Sequence, residues 1–214
     1  MDDSRILLTP LEKDALQEIM NIGFGRAAAD LADILGLHVI LSIPHIAVME
    51  TSEVIAYIQR EIPDTTDMSM ITQFFSGKLS GVSYLVVPQG EGLKLLRLFD
   101  EGIDQLGQPH DLALLQRETL LEVGNIIIGA CVGKIAEMLG DTVSYAPPRF
   151  FAHEMIYSSL EEGLTGNSSF ALLFKTVFTF EHENVSGYLF LVSNPRVMEW
   201  LKSSIDDYLK QYEQ

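Results

Sequence analysis

Residues 21–36 read NIGFGRAAADLADILG, and residues 125–140 read NIIIGACVGKIAEMLG. A shift of 104 positions lays Asn21 on Asn125, Gly25 on Gly129, Ala32 on Ala136, Leu35 on Leu139 and Gly36 on Gly140. The same shift carries Glu18 to Glu122 and Pro44 to Pro148. Farther on, LSGVSYLVVP (79–88) is echoed by VSGYLFLVSN (185–194), now at a shift of 106. The chain therefore consists of two related halves, about 9–104 and 111–214. Two copies are too few for a solenoid. They are expected to form one domain, 1–214, with an internal pseudo-two-fold axis.

Each half has the same order of elements. Thr9-Pro10-Leu11-Glu12 is a capping box with proline at the first helical position, so a helix is expected from Pro10. It should run to about Leu35 and stop at Gly36, the glycine expected just past a helix end. HVILSI and HIAVME read as a strand broken at Pro44. A short helix over 52–60 and a loop at PDTTD (63–67) follow. SMITQFFSGKLSGVSYLVVP reads as two strands with a turn near Ser76-Gly77, and EGLKLLRLFDEG closes the half as a helix. In the second half the long helix should cover about 111–139 with Asp111 as its cap, and FFAHEMI should be a strand. A hairpin around His182-Glu183-Asn184 and a helix begun at Pro195 complete it.

Hairpins rather than strand–helix–strand alternation imply an α+β fold with a mainly antiparallel sheet. The two long helices, related by the repeat, are expected side by side on one surface. Both carry internal glycines: Gly23 and Gly25 in one, Gly124, Gly129 and Gly133 in the other. Each costs roughly 1 kcal/mol against alanine in a helix interior. Close approach to a neighbouring backbone is the usual reason for tolerating that. Neither a GxxxxGK[ST] loop nor a strand-borne GxGxxG is present.

Bulk composition narrows the function. Hydrophobic residues make up 47% of the 214, enough for a sizeable core without staples. The lone cysteine, Cys131, lies in an apolar run and reads as a small buried hydrophobe. The N-terminus MDDSRILLTP is acidic and lacks a long apolar segment, so no secretory leader is expected. No run of about 18 apolar residues is evident, so no membrane span is expected. A cytoplasmic setting fits these features. Thirty acids against fourteen bases give a formal charge of −16, which argues against nucleic acid and anionic membrane as partners.

The chemistry-bearing residues lie on the long helices. At about 100° per residue, positions i, i+4 and i+7 fall on one face. Asp14, Glu18 and Asn21 form one such stripe; Glu118, Glu122 and Asn125 form another. One stripe alone would read as a solvated helix face. Yet Glu–x–x–Asn recurs at matched positions, while neighbours have drifted: Glu12 became Gln116, Lys13 became Arg117 and Gln17 became Leu121. A merely solvated face does not need to keep an acid and an amide at the same places twice.

The stripes resemble the signature of the CheC/CheX/FliY phosphatases of bacterial chemotaxis: Asp or Ser, three residues, Glu, two residues, Asn, twenty-two residues, Pro. The first copy is Asp14, Glu18, Asn21, Pro44; the second is Glu118, Glu122, Asn125, Pro148. Two copies look more like CheC than like CheX. The second copy departs from the pattern at its first position, where Glu118 replaces Asp or Ser. The resemblance implies hydrolysis of the phosphoaspartate on a CheY-like response regulator. The regulator would supply the Mg2+ and a lysine, so no cofactor of the chain's own is implied. Asn21 and Asn125 would position the attacking water, an amide offering one acceptor and one donor without being protonated. Glu18 and Glu122 would pair with the regulator's lysine. Pro44 and Pro148 would shape the strand bend beneath each helix. The alternative implied by the same resemblance is a binding module without catalysis, for example one that engages the receptor deamidase CheD.

Other chemistries find little support. The five histidines (His38, His45, His110, His153, His182) form no HxxxH or HExxH, and Cys131 has no CxxC partner, so no metal site is expected. His153 reads as a half-buried strand residue. There is no GxSxG elbow for a serine nucleophile. Asp14 with Glu18 as an acid/base or metal pair would need more ligands than the stripe offers, and would leave both asparagines unexplained.

Overall fold

The computed structural model describes residues 8–62, 68–99, 109–152, 155, 156, 158, 160, 170–181, 185–193 and 197–210. Helix α1 runs Pro10–Leu35. Strands β1 (Val39–Leu41) and β2 (His45–Glu50) follow, then α2 (Thr51–Glu61), β3 (Met68–Ser76), β4 (Gly81–Pro88) and α3 (Gln89–Phe99). The second half repeats the order with α4 (Pro109–Met138), β5 (Ser144–Tyr145), β6 (Arg149–Ala152), β7 (Phe170–Phe180), β8 (Val185–Ser193) and α5 (Val197–Lys210).

The helix ends follow from their sequence. Thr9 and Glu12 exchange both capping-box bonds: the Thr9 N–H donates to Glu12 Oε2 at 2.6 Å and the Glu12 N–H to Thr9 Oγ1 at 3.2 Å. Gly36 ends α1 at φ 66°, and its repeat-mate Gly140 closes α4 at φ 71°, a left-handed conformation open to glycine at little cost. Helix α4 opens at Pro109, so Asp111 sits in its first turn and is not its cap. The loop 63–67, the turn 182–184, Pro195 and His153 lie outside the described residues.

All strand pairs are antiparallel. The order is β1-β7-β8-β4-β3-β5, with β2 also on β7 and β6 also on β3. At the centre β4 pairs with β8, and Tyr84 faces Phe190. These two residues are also mates under the 106-residue shift. The pseudo-two-fold axis therefore passes between them. At the edges the halves exchange strands: β1 and β2 of the first half pair with β7 of the second, and β5 and β6 of the second pair with β3 of the first. Pro44 and Pro148 mark the breaks between β1 and β2 and between β5 and β6.

Both sheet faces are covered, which explains why β4 and β8 read as continuous apolar runs rather than clean alternation. Leu85, Val87, Leu189 and Leu191 point into a large core shared with Leu16, Ile19, Met20, Ile127, Ile128 and Cys131 of α1 and α4. Tyr84, Val86, Phe190 and Val192 point the other way, to a smaller core with Val54, Ile58 and Ile62 in and beside α2. The fold is thus α+β, as the element order implies, with α1 and α4 packed together. An Asp30–Lys134 ion pair (3.1 Å) and an Arg26 Nη1 to Met138 Sδ contact (3.3 Å) join them. Asp30 and Lys134 are mates under the 104-residue shift, so they sit at the axis and the two helices run antiparallel.

One further expectation needs correction. FFAHEMI is strand only through Ala152; Met155 and Ile156 are helical. Ala152 pairs with Ser69, and β3 begins at Met68, so the partner strand runs out there. Within α4, Leu112–Met138 contains an 18-residue window of mean hydropathy 1.5, interrupted by charged residues. Half of that window is buried against the sheet and α1, which marks a core helix.

Candidate functional site

The buried residues of α1 recur at helical spacing: Ala15, Leu16, Ile19, Met20, Gly23, Phe24, Ala27 and Leu31. That pattern turns the opposite stripe outward. Asp14 and Glu18 are exposed and Asn21 is half-buried; Glu118, Glu122 and Asn125 are all exposed. None of the four carboxylates forms an ion pair with another described residue. Each asparagine lies nine residues before the axis pair Asp30 and Lys134. At 1.5 Å per residue on antiparallel helices, the two asparagines stand about 27 Å apart along the helix direction. They cannot act on one reacting group together; each heads a separate candidate site.

Below the second asparagine the sheet supplies a built support. Gln73, buried on β3, donates from Nε2 to Asn125 Oδ1 at 2.7 Å and to the Ala146 carbonyl at 2.9 Å. One turn on, Gly129 exposes its carbonyl to the Tyr145 hydroxyl at 3.1 Å. Burial pushes that hydroxyl's pKa up to about 12, so it remains a donor at neutral pH.

The first site lacks both supports. The position of Gln73 in the hairpin is taken by Thr176: Phe75 faces Gly81 as Phe178 faces Gly187, so Gln73 and Thr176 correspond. The Thr176 hydroxyl donates to the Ser42 carbonyl at 2.8 Å, as Gln73 does to Ala146, the repeat-mate of Ser42. It extends no farther. Asn21 Oδ1 is buried with no hydrogen-bond partner among the described residues. The mate of Tyr145 is Leu41, which has no hydroxyl to offer. What the first half has instead is a bond from Gln17 Nε2 to the carbonyl of buried Pro44 at 2.6 Å. Its mate Leu121 cannot make that bond, and Pro148 is half-buried.

The stripes lie on open surface. Two hollows among the described residues, of about 540 and 490 Å³, lie elsewhere: one beside Trp200 and Tyr208, one beside Tyr57 and Arg60. No group of three potential metal ligands occurs among the described residues. An exposed acid–amide stripe on open surface suits a macromolecular partner. Helical spacing and its recurrence in both halves single out Glu18, Asn21, Glu122 and Asn125. They do not reveal Gln73 and Tyr145, which reach the second stripe from other elements.

Residues 11–46, which hold the first stripe and Pro44, match the model of the CheC-like family. The chain is 24% identical over 132 residues to the CheY-P phosphatase CheC of Bacillus subtilis (strain 168), a match covering 59% of each protein. It is 26% identical over 142 residues to the flagellar motor switch phosphatase FliY of the same strain, covering 66% of this chain and 36% of FliY. The chain thus spans less than two thirds of either relative. The crystal structure of Thermotoga maritima FliY shares its fold, with a TM-score of 0.66 at 18% identity over 94% of this chain and 98% of that one. The FliM middle domain of Vibrio alginolyticus matches at 0.54 and 14% identity, over 88% and 99%.

Proposed function

We propose that this chain, a distant relative of CheC and FliY within the CheC-like family, accelerates hydrolysis of the phosphoaspartate of a CheY-like response regulator in the cytoplasm. The observation that carries the reading is the twofold presentation of Glu–x–x–Asn on outward helix faces, with the carboxylates making no ion pair among the described residues and one amide held from below. An acyl phosphate has a good leaving group, and the regulator brings its own Mg2+ and lysine. What remains is to hold a water in line with the breaking phosphorus–oxygen bond. Asn125, and in the first copy Asn21, offers that water an acceptor and a donor. Glu18 and Glu122, one turn away and without an ion-pair partner among the described residues, pair with the regulator's lysine and set the docking register. Asp14 and Glu118 extend each acidic stripe.

A second reading, a binding module of the kind that engages CheD, draws on Asn21. As it stands, the Asn21 amide has its oxygen turned inward, so it must turn over before it can offer that oxygen to a water. Phosphate release from a panel of phosphorylated regulators separates the two readings. Acceleration supports the phosphatase; binding without acceleration supports the module.

The glycines beside the asparagines provide a further check. Gly25 and Gly129 follow Asn21 and Asn125 by one turn on the same face, and a Cβ built on either meets no atom within 4 Å. No described residue packs closely enough to require a glycine at either place. Gly25→Ala should therefore raise stability by about 0.5–1 kcal/mol. The added methyl stands where the regulator's backbone approaches, so it should also raise KM several-fold. Denaturant titration and turnover measured together test this; an unchanged KM would mean that no partner packs there.

A further inference from the structure

Resting on the phosphatase reading, the geometry points to Gln73 as the positioning residue that fixes the amide of Asn125 and makes the two sites unequal. An asparagine side chain can be turned over with little change in shape, exchanging its donor and acceptor. A water held for in-line attack needs the two in one definite arrangement. The Ala146 carbonyl accepts only, so Gln73 must present Nε2 to it. The same Nε2 faces Asn125 at 2.7 Å, so Asn125 must present Oδ1 to Gln73. Its NH2 and the second lone pair of Oδ1 are then set for the water. The chain of constraint runs from a backbone carbonyl of the second half, through a side chain of the first, to the reactive amide.

The first site has no such chain. Thr176 satisfies the Ser42 carbonyl as Gln73 satisfies Ala146, but it is too short to touch Asn21. With its oxygen buried and unpartnered, Asn21 lacks the lock that Asn125 has. The inference is that most of the turnover comes from the second site despite its Glu118 departure, and that Gln73, absent from the helix signature, is the cause.

The test uses the full chain in two single-site backgrounds. Asn21→Ala leaves only the second site; Asn125→Ala leaves only the first. Asn125→Ala is expected to remove most of the wild-type turnover and Asn21→Ala a minor share. Gln73→Met keeps the length and burial of the side chain without its donor. In the Asn21→Ala background it should lower kcat about tenfold with KM unchanged, and the loss should be confined to that background. Gln73→Thr, which copies the residue of the other half, should do the same and serves if the Met variant fails to fold. A merely structural role would lower both backgrounds alike. NMR of the side-chain 15NH2 groups gives a readout independent of activity: the Asn125 pair should be ordered in the wild type and mobile in Gln73→Met. If the wild type shows no turnover, the phosphatase reading fails and this spectrum alone decides whether Gln73 fixes Asn125. An unchanged kcat in the Asn21→Ala background, an equal loss in both backgrounds, or an Asn125 signal indifferent to Gln73 overturns the inference.

Discussion

Replacing both Asn21 and Asn125 with alanine is expected to slow regulator dephosphorylation at least ~10²-fold, with the fold intact. Asn125 is exposed and Asn21 half-buried, so neither truncation opens a large cavity. Removing Asn21 even deletes a buried oxygen that has no partner. Thermal unfolding should therefore shift little. The catalytic loss has a different origin. A hundredfold fall corresponds to about 2.7 kcal/mol of transition-state stabilisation. That lies well below the roughly 7–11 kcal/mol that positioning can contribute in total, as the proposed mechanism, in which the partner brings the metal and the lysine, requires. Because Glu18 and Glu122 remain, docking should survive and KM should change much less than kcat. Phosphate release and a melting curve on the same sample check this. Unchanged turnover in the double variant would remove both asparagines from the mechanism.

Gly81→Ala is expected to destabilise the chain by about 3 kcal/mol, the upper end of ordinary overpacking. Gly81 opens β4, where it pairs with Ser193 of β8 across the centre of the sheet. A Cβ there would lie 2.2 Å from the Val192 carbonyl oxygen and 3.0 Å from Phe75 Cζ. The oxygen belongs to the backbone of the central strand pair and cannot swing aside. Its repeat-mate Gly187 is equally confined, 2.6 Å from the Val86 oxygen and 2.4 Å from Phe178 Cζ. For a chain of this size the expected fall in Tm is about 6–12 °C. The same chemical change at Gly25 has the opposite sign, because there the space is open. A Gly81→Ala variant as stable as the wild type would show that the two strands do not approach as closely as described.

Much of the architecture was legible in the sequence because its causes are local. The Thr9–Glu12 box, the left-handed glycines at 36 and 140 and the i, i+4, i+7 stripes involve residues within a turn of each other. The repeat then fixed which stripes to compare. What stayed hidden crosses between elements. Gln73 lies 52 positions before Asn125, in the other half, and reads from sequence as one more polar residue on an apolar strand. Nothing in helical spacing shows that it reaches Asn125 or that Thr176 falls short of Asn21. The end of β6 was hidden for a similar reason: FFAHEMI reads as one apolar-rich strand, but the strand's length is set by where β3 starts. The surface stripes were legible as positions; the direction in which each amide points was not.

The exchanged edge strands carry one more consequence. Neither half contains the neighbour that its own post-helix strands need, so a lone half would be left with bare hairpin edges. Two identical halves could clasp each other and satisfy both, giving a homodimer of the present shape. Fusing such a pair into one chain frees each copy to vary by itself. Gln73 opposite Thr176, and Tyr145 opposite Leu41, are the kind of divergence that only a covalently joined pair can record.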